Sequence, residues 1–312
     1  MKYKTSRLVM EEYIKFKLQD NSQKYVIFSP NIQTFNMSYF KNFLGPFPKQ
    51  RQHGAWAMFL VPAFLALFLN PALVYSSLLL IFSFILIFLA HQPASKFLRF
   101  LKNKGRPDSR SFLWVLLLAG SGFLISGYLL VHYQRWNALI LGGIVGILLL
   151  MHLWMTLNKE ALSITAELIG VLGLTASAPF IYIFNNVSLG AEGWVLWMLN
   201  FLYFSGSIFY IKLKLRWQPS HPEPSFPGKI KAGKLLIIFS IFLILYLFFT
   251  IQIRGYSWLF MVAFLPFFLK AAYGLINWNT NGRQKPKSVG LLELKHSMIF
   301  LFLTLLAFHL PL

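Results

Sequence analysis

Nine apolar stretches, each about long enough to cross a bilayer, recur along this 312-residue chain. A spanning helix takes about 20 mostly apolar residues. The runs at 54–70, 72–91, 112–132, 136–157, 161–185, 193–213, 233–253, 256–274 and 294–311 answer to that length. In hydrocarbon a backbone satisfies its own polar groups only as a helix or a closed barrel. Runs of this length therefore predict an all-α, polytopic transmembrane bundle of nine helices. Asn70-Pro71 reads as a tight turn between the first two, and Glu167, Ser177 and Pro179 interrupt the fifth. Residues 49–312 form the transmembrane domain in this reading, and residues 1–48 a basic cytoplasmic extension. Within the extension, segment 8–18 is either a short amphipathic helix on an anionic leaflet or a loosely ordered tail. It shows no short apolar core followed by a small-residue cleavage site, so no secretory signal is expected.

Charge supports the same class. Only 12% of residues are charged, against about 25% in soluble domains. The formal net charge of +20 comes from lysines and arginines spread through short connections rather than gathered on one patch. Nucleic-acid binding is therefore not expected. Cysteine is absent, which excludes disulfides, thiolate nucleophiles and Cys-ligated metals. If the N-terminus is cytoplasmic, alternate connections place 27 Lys and Arg inside and only Arg135 and Arg254 outside. The positive-inside rule then predicts a multi-pass protein of the cytoplasmic (inner) membrane, N-terminus inside and C-terminus outside. The inner loops 92–111, 214–232 and 275–293 are the longer ones, which puts a candidate site on the cytoplasmic face.

Ionisable residues within spans are functional candidates by default. In the sixth run Asn200, Tyr203, Ser207, Tyr210 and Lys214 recur at helical spacing. They form a stripe about 80° wide and about 21 Å long, which faces either a ligand or another helix. In the fifth run Glu167 precedes Gly170, Gly173 and Ser177, a face that another helix can approach closely. Its carboxylate needs a cation, and Lys212 and Lys214 are the expected partners. His53, His91, His152 and His296 all fall at inner ends of spans, in reach of proton transfer or anion binding. Glu293-x-x-His296 puts two ligand types on one helical face, but di-iron bundles need two such motifs, so no metal site is predicted. The nine acidic residues make no Asp-x-x-Asp pair in or near a span, which argues against Mg²⁺-held diphosphate. No Walker loop, Rossmann glycine run or nucleophile elbow is present, and no cofactor is evident. Gly142-Gly143-x-x-Gly146 reads as a helix-packing face.

Three stretches together resemble the YwiC-like family of bacterial integral membrane proteins. They are Gln52-His53-Gly54-Ala55-Trp56-Ala57-Met58, Glu167 through Gly173 with Ala178-Pro179, and Leu199-Asn200 through Tyr203, Ser207, Tyr210 and Lys212. The resemblance covers roughly 47–310; Gln52 stands where the family usually has an acid. A more distant similarity is to the UbiA-type prenyltransferases, which implies nine helices, N-inside and C-outside, and a site at the cytoplasmic helix ends. Where those enzymes carry Asp-rich motifs, this chain has His91 to Arg99 and Ser205 to Lys212. The resemblance thus implies a UbiA-like scaffold without Mg²⁺-dependent prenyl transfer.

On that reading the bilayer is one partner, and an isoprenoid or lipid with an anionic head group at the cytoplasmic face is another. His53, Lys96, Arg99, Lys212 and Lys214 are expected to neutralise the head group in place of Mg²⁺. Trp56, Asn200, Tyr203, Ser207 and Tyr210 are expected to line the site. Glu167, His53 and His296 are the candidates for chemistry, should a transferase reaction follow binding. A transporter and a non-catalytic assembly subunit of a membrane complex are the alternatives.

Overall fold

The computed structural model describes residues 47–48, 53–103, 109–278 and 286–310. Contacts divide the chain into residues 1–46 and 47–312, and the architecture below is that of the second unit. Segment 8–18, Gln52 and the middle parts of the expected loops 92–111 and 275–293 lie outside the described residues.

The described residues build helices and no strand. They are α1 His53–Leu69, α2 Val74–Lys102, α3 Ser109–His132, α4 Asn137–Leu157, α5 Ile164–Thr175 and α6 Ser177–Asn186. There follow α7 Gly190–Ile211, a π-helical turn Lys212–Trp217, a 3-10 turn Gln218–Ser220 and α8 Phe226–Ala232. The bundle closes with α9 Lys234–Arg254, α10 Leu259–Ala263, α11 Leu265–Ile276 and α12 Pro286–His309. Among the described residues, seven segments are long and apolar enough to cross a membrane, with α5 and α6 together making one of them. Residues Gly54–Leu69 and Leu265–Ile276 form two shorter apolar helices. The protein is therefore an all-α, multi-pass membrane protein. The nine expected runs map onto seven full-length segments and two shorter ones.

Proline decides where a run breaks and where it continues. In a helix interior it removes one N–H and its ring crowds the carbonyl four residues back. Pro179 stands three residues after the break at Ala176, where Thr175 closes α5 with its hydroxyl on the Val171 carbonyl (2.8 Å). Pro266 likewise sits in the first turn of α11, just past the break at Phe264. Pro62 and Pro93, by contrast, lie inside α1 and α2. Because α2 runs through Pro93 to Lys102, Lys96 and Arg99 ride on a helix, not on the expected loop.

Helix α7 is the centre of the bundle. In its most apolar window 72% of residues are buried, against 22–33% in α2, α3, α4, α9 and α12. It packs on α1, α5, α6, α9 and α11, while α3 packs chiefly on α2. Close approach needs glycine at two points. A Cβ on Gly206 of α7 would stand 2.5 Å from the Phe267 ring, and one on Gly274 of α11 would stand 2.7 Å from Tyr210.

Opposite the lysine-rich end, side chains tie the turns together. Asn70 donates to Asn186, and the Asn185 side-chain oxygen accepts from Leu73 N (3.2 Å) and Ser77 Oγ (3.1 Å). Arg135 Nε donates to the Phe184 carbonyl at 2.8 Å.

Candidate functional site

Two polar features lie within this bundle, on different faces of α7. The first is a cavity of about 480 Å³ between α1, α2, α4 and α5–α6. Its walls are aromatic and aliphatic, with Phe59, Phe84, Phe88 and Phe180 prominent. Glycine contributes to its shape: Gly142 and Gly146 of α4 and Gly170 and Gly173 of α5 are all lining residues. No atom stands within 4 Å of where a Gly146 Cβ would be, and the nearest to Gly142 is Phe180 at 3.8 Å. The expected packing face at 142–146 is thus part of a cavity wall, because the sequence pattern for close helix approach and for leaving room is the same. The exposed Phe123 and Leu149 are also lining residues, so the cavity reaches the lipid-facing flank beside α3 and α4.

Its polar groups are gathered at the lysine-rich end. His91 of α2 and His152 of α4 share a hydrogen bond, Nε2 to Nδ1, of 3.2 Å. Glu167, in the first turn of α5, pairs with Lys212 Nζ at 3.0 Å, and the same ammonium donates to the Leu162 carbonyl at 2.7 Å. The carboxylate near the α5 N-terminus is also favoured by the helix dipole. Deeper in, Ser177 Oγ donates to the Phe59 carbonyl at 2.7 Å. Trp56 packs edge-on against Phe88 with ring centroids 5.1 Å apart, just behind the lining.

The second feature is a buried ion pair. Lys270 Nζ of α11 donates to both carboxylate oxygens of Glu293 of α12 at 2.8 Å, and Ser207 Oγ of α7 joins them at 2.8 Å to Glu293 and 3.0 Å to Lys270. Tyr210 and Phe267 place their rings 5.1 and 5.9 Å from the ammonium. Lys270 is thus not one of the connection lysines: it is an interior group that pins three helices.

The α7 stripe is buried as its spacing implied. Asn200, Tyr203, Ser207, Tyr210 and Lys214 are each at most 5% exposed. It faces α11 and α12. Tyr203 stacks on Phe300 at 3.9 Å, Asn200 Nδ2 donates to the Leu196 carbonyl, and Lys214 Nζ donates to the Asn277 carbonyl. From α7 the cavity receives Ile208 and Ile211 instead. Among the expected cations whose side chains are described, Lys212 reaches the cavity's edge, through Glu167. Lys96 and Arg99 are exposed along the last turns of α2, with Lys96 5.9 Å from the Phe100 ring. His53 opens α1, and its side chain lies outside the described residues; Gly54 and Ala55 next to it line the cavity. His296 is on α12, away from the cavity lining. Among the described residues no group of three or more His, Cys, Asp and Glu is placed to hold a metal ion.

Residues 50–182 match the family model described as YwiC-like protein, so the resemblance read from the sequence motifs stands over that segment. The chain is also similar to "Uncharacterized protein YwiC" of Bacillus subtilis (strain 168). The two are 25% identical over 253 residues, 80% of this chain and 94% of that protein. No solved structure matches the chain. The matched segment holds every cavity-lining residue except Ile208 and Ile211, whereas Lys270 and Glu293 lie beyond it.

The ion pair carries a stability prediction. Removing one partner of a buried pair strands the other charge and costs about 3–5 kcal/mol, whereas an apolar replacement of both is close to neutral. Lys270→Met should therefore lower the unfolding temperature of the detergent-solubilised protein sharply in scanning fluorimetry. Adding Glu293→Leu to it should restore most of the loss. Equal instability of the single and double variants would show that the charges do not act as a pair.

Proposed function

We propose that this YwiC-like membrane protein holds an isoprenoid or other lipid in the α1–α2–α4–α5 cavity, with the chain along its apolar wall and the head group at the lysine-rich end. The observation that carries this reading is the segregation within the cavity. Aromatic and aliphatic side chains make most of the lining, while His91, His152 and Glu167 are gathered at one end. Binding cavities are mostly apolar with a few convergent polar groups that fix orientation, and this arrangement matches an amphipathic molecule lying parallel to the helices. The opening beside Phe123 and Leu149 supplies a route from the bilayer. A UbiA-like scaffold of crossing helices agrees with such a cavity, and the missing Asp-rich motifs argue against Mg²⁺-held diphosphate as the anchor. Should chemistry follow binding, Glu167 and the two cavity histidines are the groups in position for it.

The Lys and Arg distribution supports a cytoplasmic N-terminus, an external C-terminus and a head-group end at the cytoplasmic face. In this proposal the protein sits in the cytoplasmic membrane. Alkaline phosphatase fused after Leu312 should be active in a bacterial host, and the same enzyme fused between α2 and α3 inactive. The reverse pattern would invert the assignment.

Lipid extraction and native mass spectrometry test the cavity. Gly146→Phe should fill it without a first contact at Cβ, since nothing lies within 4 Å there. A lipid co-purifying with the wild type should be lost from this variant and kept in Tyr210→Phe/Lys214→Ala, whose residues lie outside the lining. Equal bulk phospholipid in all three proteins would sink the lipid-cavity reading.

A further inference from the structure

Resting on the lipid-cavity reading, we infer that the head group held there is uncharged and carries carbonyl or hydroxyl oxygens on a ring, the chemistry of a lipid quinone or quinol. The argument begins with charge. Among the described lining residues the ionisable ones are His91, His152 and Glu167, and no lysine or arginine is among them. Lys212, which reaches the lining residue Glu167, is engaged by that carboxylate at 3.0 Å and by the Leu162 carbonyl. A diphosphate placed here would add several negative charges beside a carboxylate whose counter-ion is already taken. Burying unpaired charge is among the costliest steps a binding site can ask for. An uncharged head group avoids that cost.

Hydrogen-bond arithmetic narrows the class. A neutral imidazole has one N–H and one lone pair. His91 Nε2 and His152 Nδ1 are joined to each other at 3.2 Å, which leaves His91 Nδ1 and His152 Nε2. Whichever ring donates inside the pair, the two remaining nitrogens are one donor and one acceptor. If His91 donates, His152 Nε2 carries the outer proton; if His152 donates, His91 Nδ1 carries it. The pair thus offers one N–H to a carbonyl oxygen and one lone pair to a hydroxyl. A quinone needs the first and a quinol the second. Exchanging these roles takes one proton across the internal hydrogen bond and a second carried between the two outer nitrogens by a molecule bound at both. Gly170 makes room for the edge of His152, since a Cβ there would stand 3.3 Å from both Nε2 and Cδ2 of that ring, and both histidines are lining residues. The remaining walls suit a flat ring, with Phe88 lying parallel to Phe59 at 6.0 Å and edge-on to Trp56. The inference concerns binding only; no electron donor or acceptor is assigned.

The test uses full-length protein in detergent and two probes, a decyl-substituted benzoquinone and geranyl diphosphate. Saturable quenching of tryptophan fluorescence gives each Kd, with Gly146→Phe as the blocked control. The quinone should bind more tightly than the diphosphate. His152→Phe, which removes the head-group hydrogen bond, should weaken quinone binding about tenfold. His91→Gln, which keeps a donor and an acceptor, should stay within about threefold of wild type. Tighter binding of geranyl diphosphate would overturn the uncharged head group while leaving the lipid cavity in place. Quinone binding abolished by Gly146→Phe but untouched by His152→Phe would show that the histidine pair does not hold the ring. If neither probe saturates while a lipid still co-purifies with wild type and not with Gly146→Phe, the quinone inference fails and the cavity reading survives. If that lipid is equally present in Gly146→Phe, both fall.

Discussion

Every polar group of the backbone that lies away from water must find a partner within the protein, and this requirement shapes the bundle at both ends as well as along its length. Within helices the ladder supplies the partner. At helix C-termini the last carbonyls have none, and here neighbouring side chains supply it. The end of α11 is the clearest case. Gln218 donates to the Gly274 carbonyl at 2.7 Å, Lys229 to that of Ile276 at 2.9 Å and Lys214 to that of Asn277. Lys102 does the same for the Leu157 carbonyl that ends α4, at 3.1 Å. A cation at a helix C-terminus is favoured by the dipole as well as by the hydrogen bond. Several lysines that mark the lysine-rich end are therefore caps for helices remote in sequence.

Helix α7 separates two kinds of interior. Its stripe from Asn200 to Lys214 meets α11 and α12, where the Lys270–Glu293 pair and Ser207 close a polar contact. Ile208 and Ile211, each one position beyond a stripe residue and so about 100° round the helix, form its share of the cavity. The polar face is spent on holding helices together, and the apolar face is the one that borders open space. An arrangement of this kind suits a site for a molecule that is mostly hydrocarbon.

How much of this was legible in the sequence follows from the range of the interactions. Helical segments were readable because a 20-residue apolar run is a local signal, and Pro179 marked the interruption of the fifth. The far end of α2 was not, since Pro93 reads equally as a stop and as a tolerated interior proline. The α7 stripe was readable as buried, because spacing defines a face; the helices it meets are set by tertiary packing. Lys270 was counted with the connections because nothing near it in sequence announces Glu293. Lys212 was recognised as a partner for Glu167, but two cations at 212 and 214 look alike until the π-helical turn sends Lys214 to Asn277 instead. The UbiA-like reading rests on analogy and stands as a proposal. The anionic head group came from counting cations, a count that does not tell a head-group ligand from a lysine such as Lys212 or Lys214 that is already held by Glu167 or a helix-end carbonyl.

The glycines of the cavity complete the physical argument. Two helices that meet through small residues ordinarily gain by close approach, as α7 does at Gly206 against Phe267. Gly142 and Gly146 on α4 make no such approach to Gly170 and Gly173, apart from the His152 ring lying 3.3 Å from the position of a Gly170 Cβ. A helix lined with glycine gives up side-chain dispersion contacts, individually about 0.1–0.2 kcal/mol per atom pair but collectively large, and glycine itself is a poor helix former. Inside a bundle this loss is offset only where something else supplies the contacts. In the proposed function a flexible hydrocarbon chain drawn from the bilayer would supply them along the wall. Gathering the ionisable groups His91, His152 and Glu167 at one end of that wall adds direction to what would otherwise be a symmetrical apolar slot.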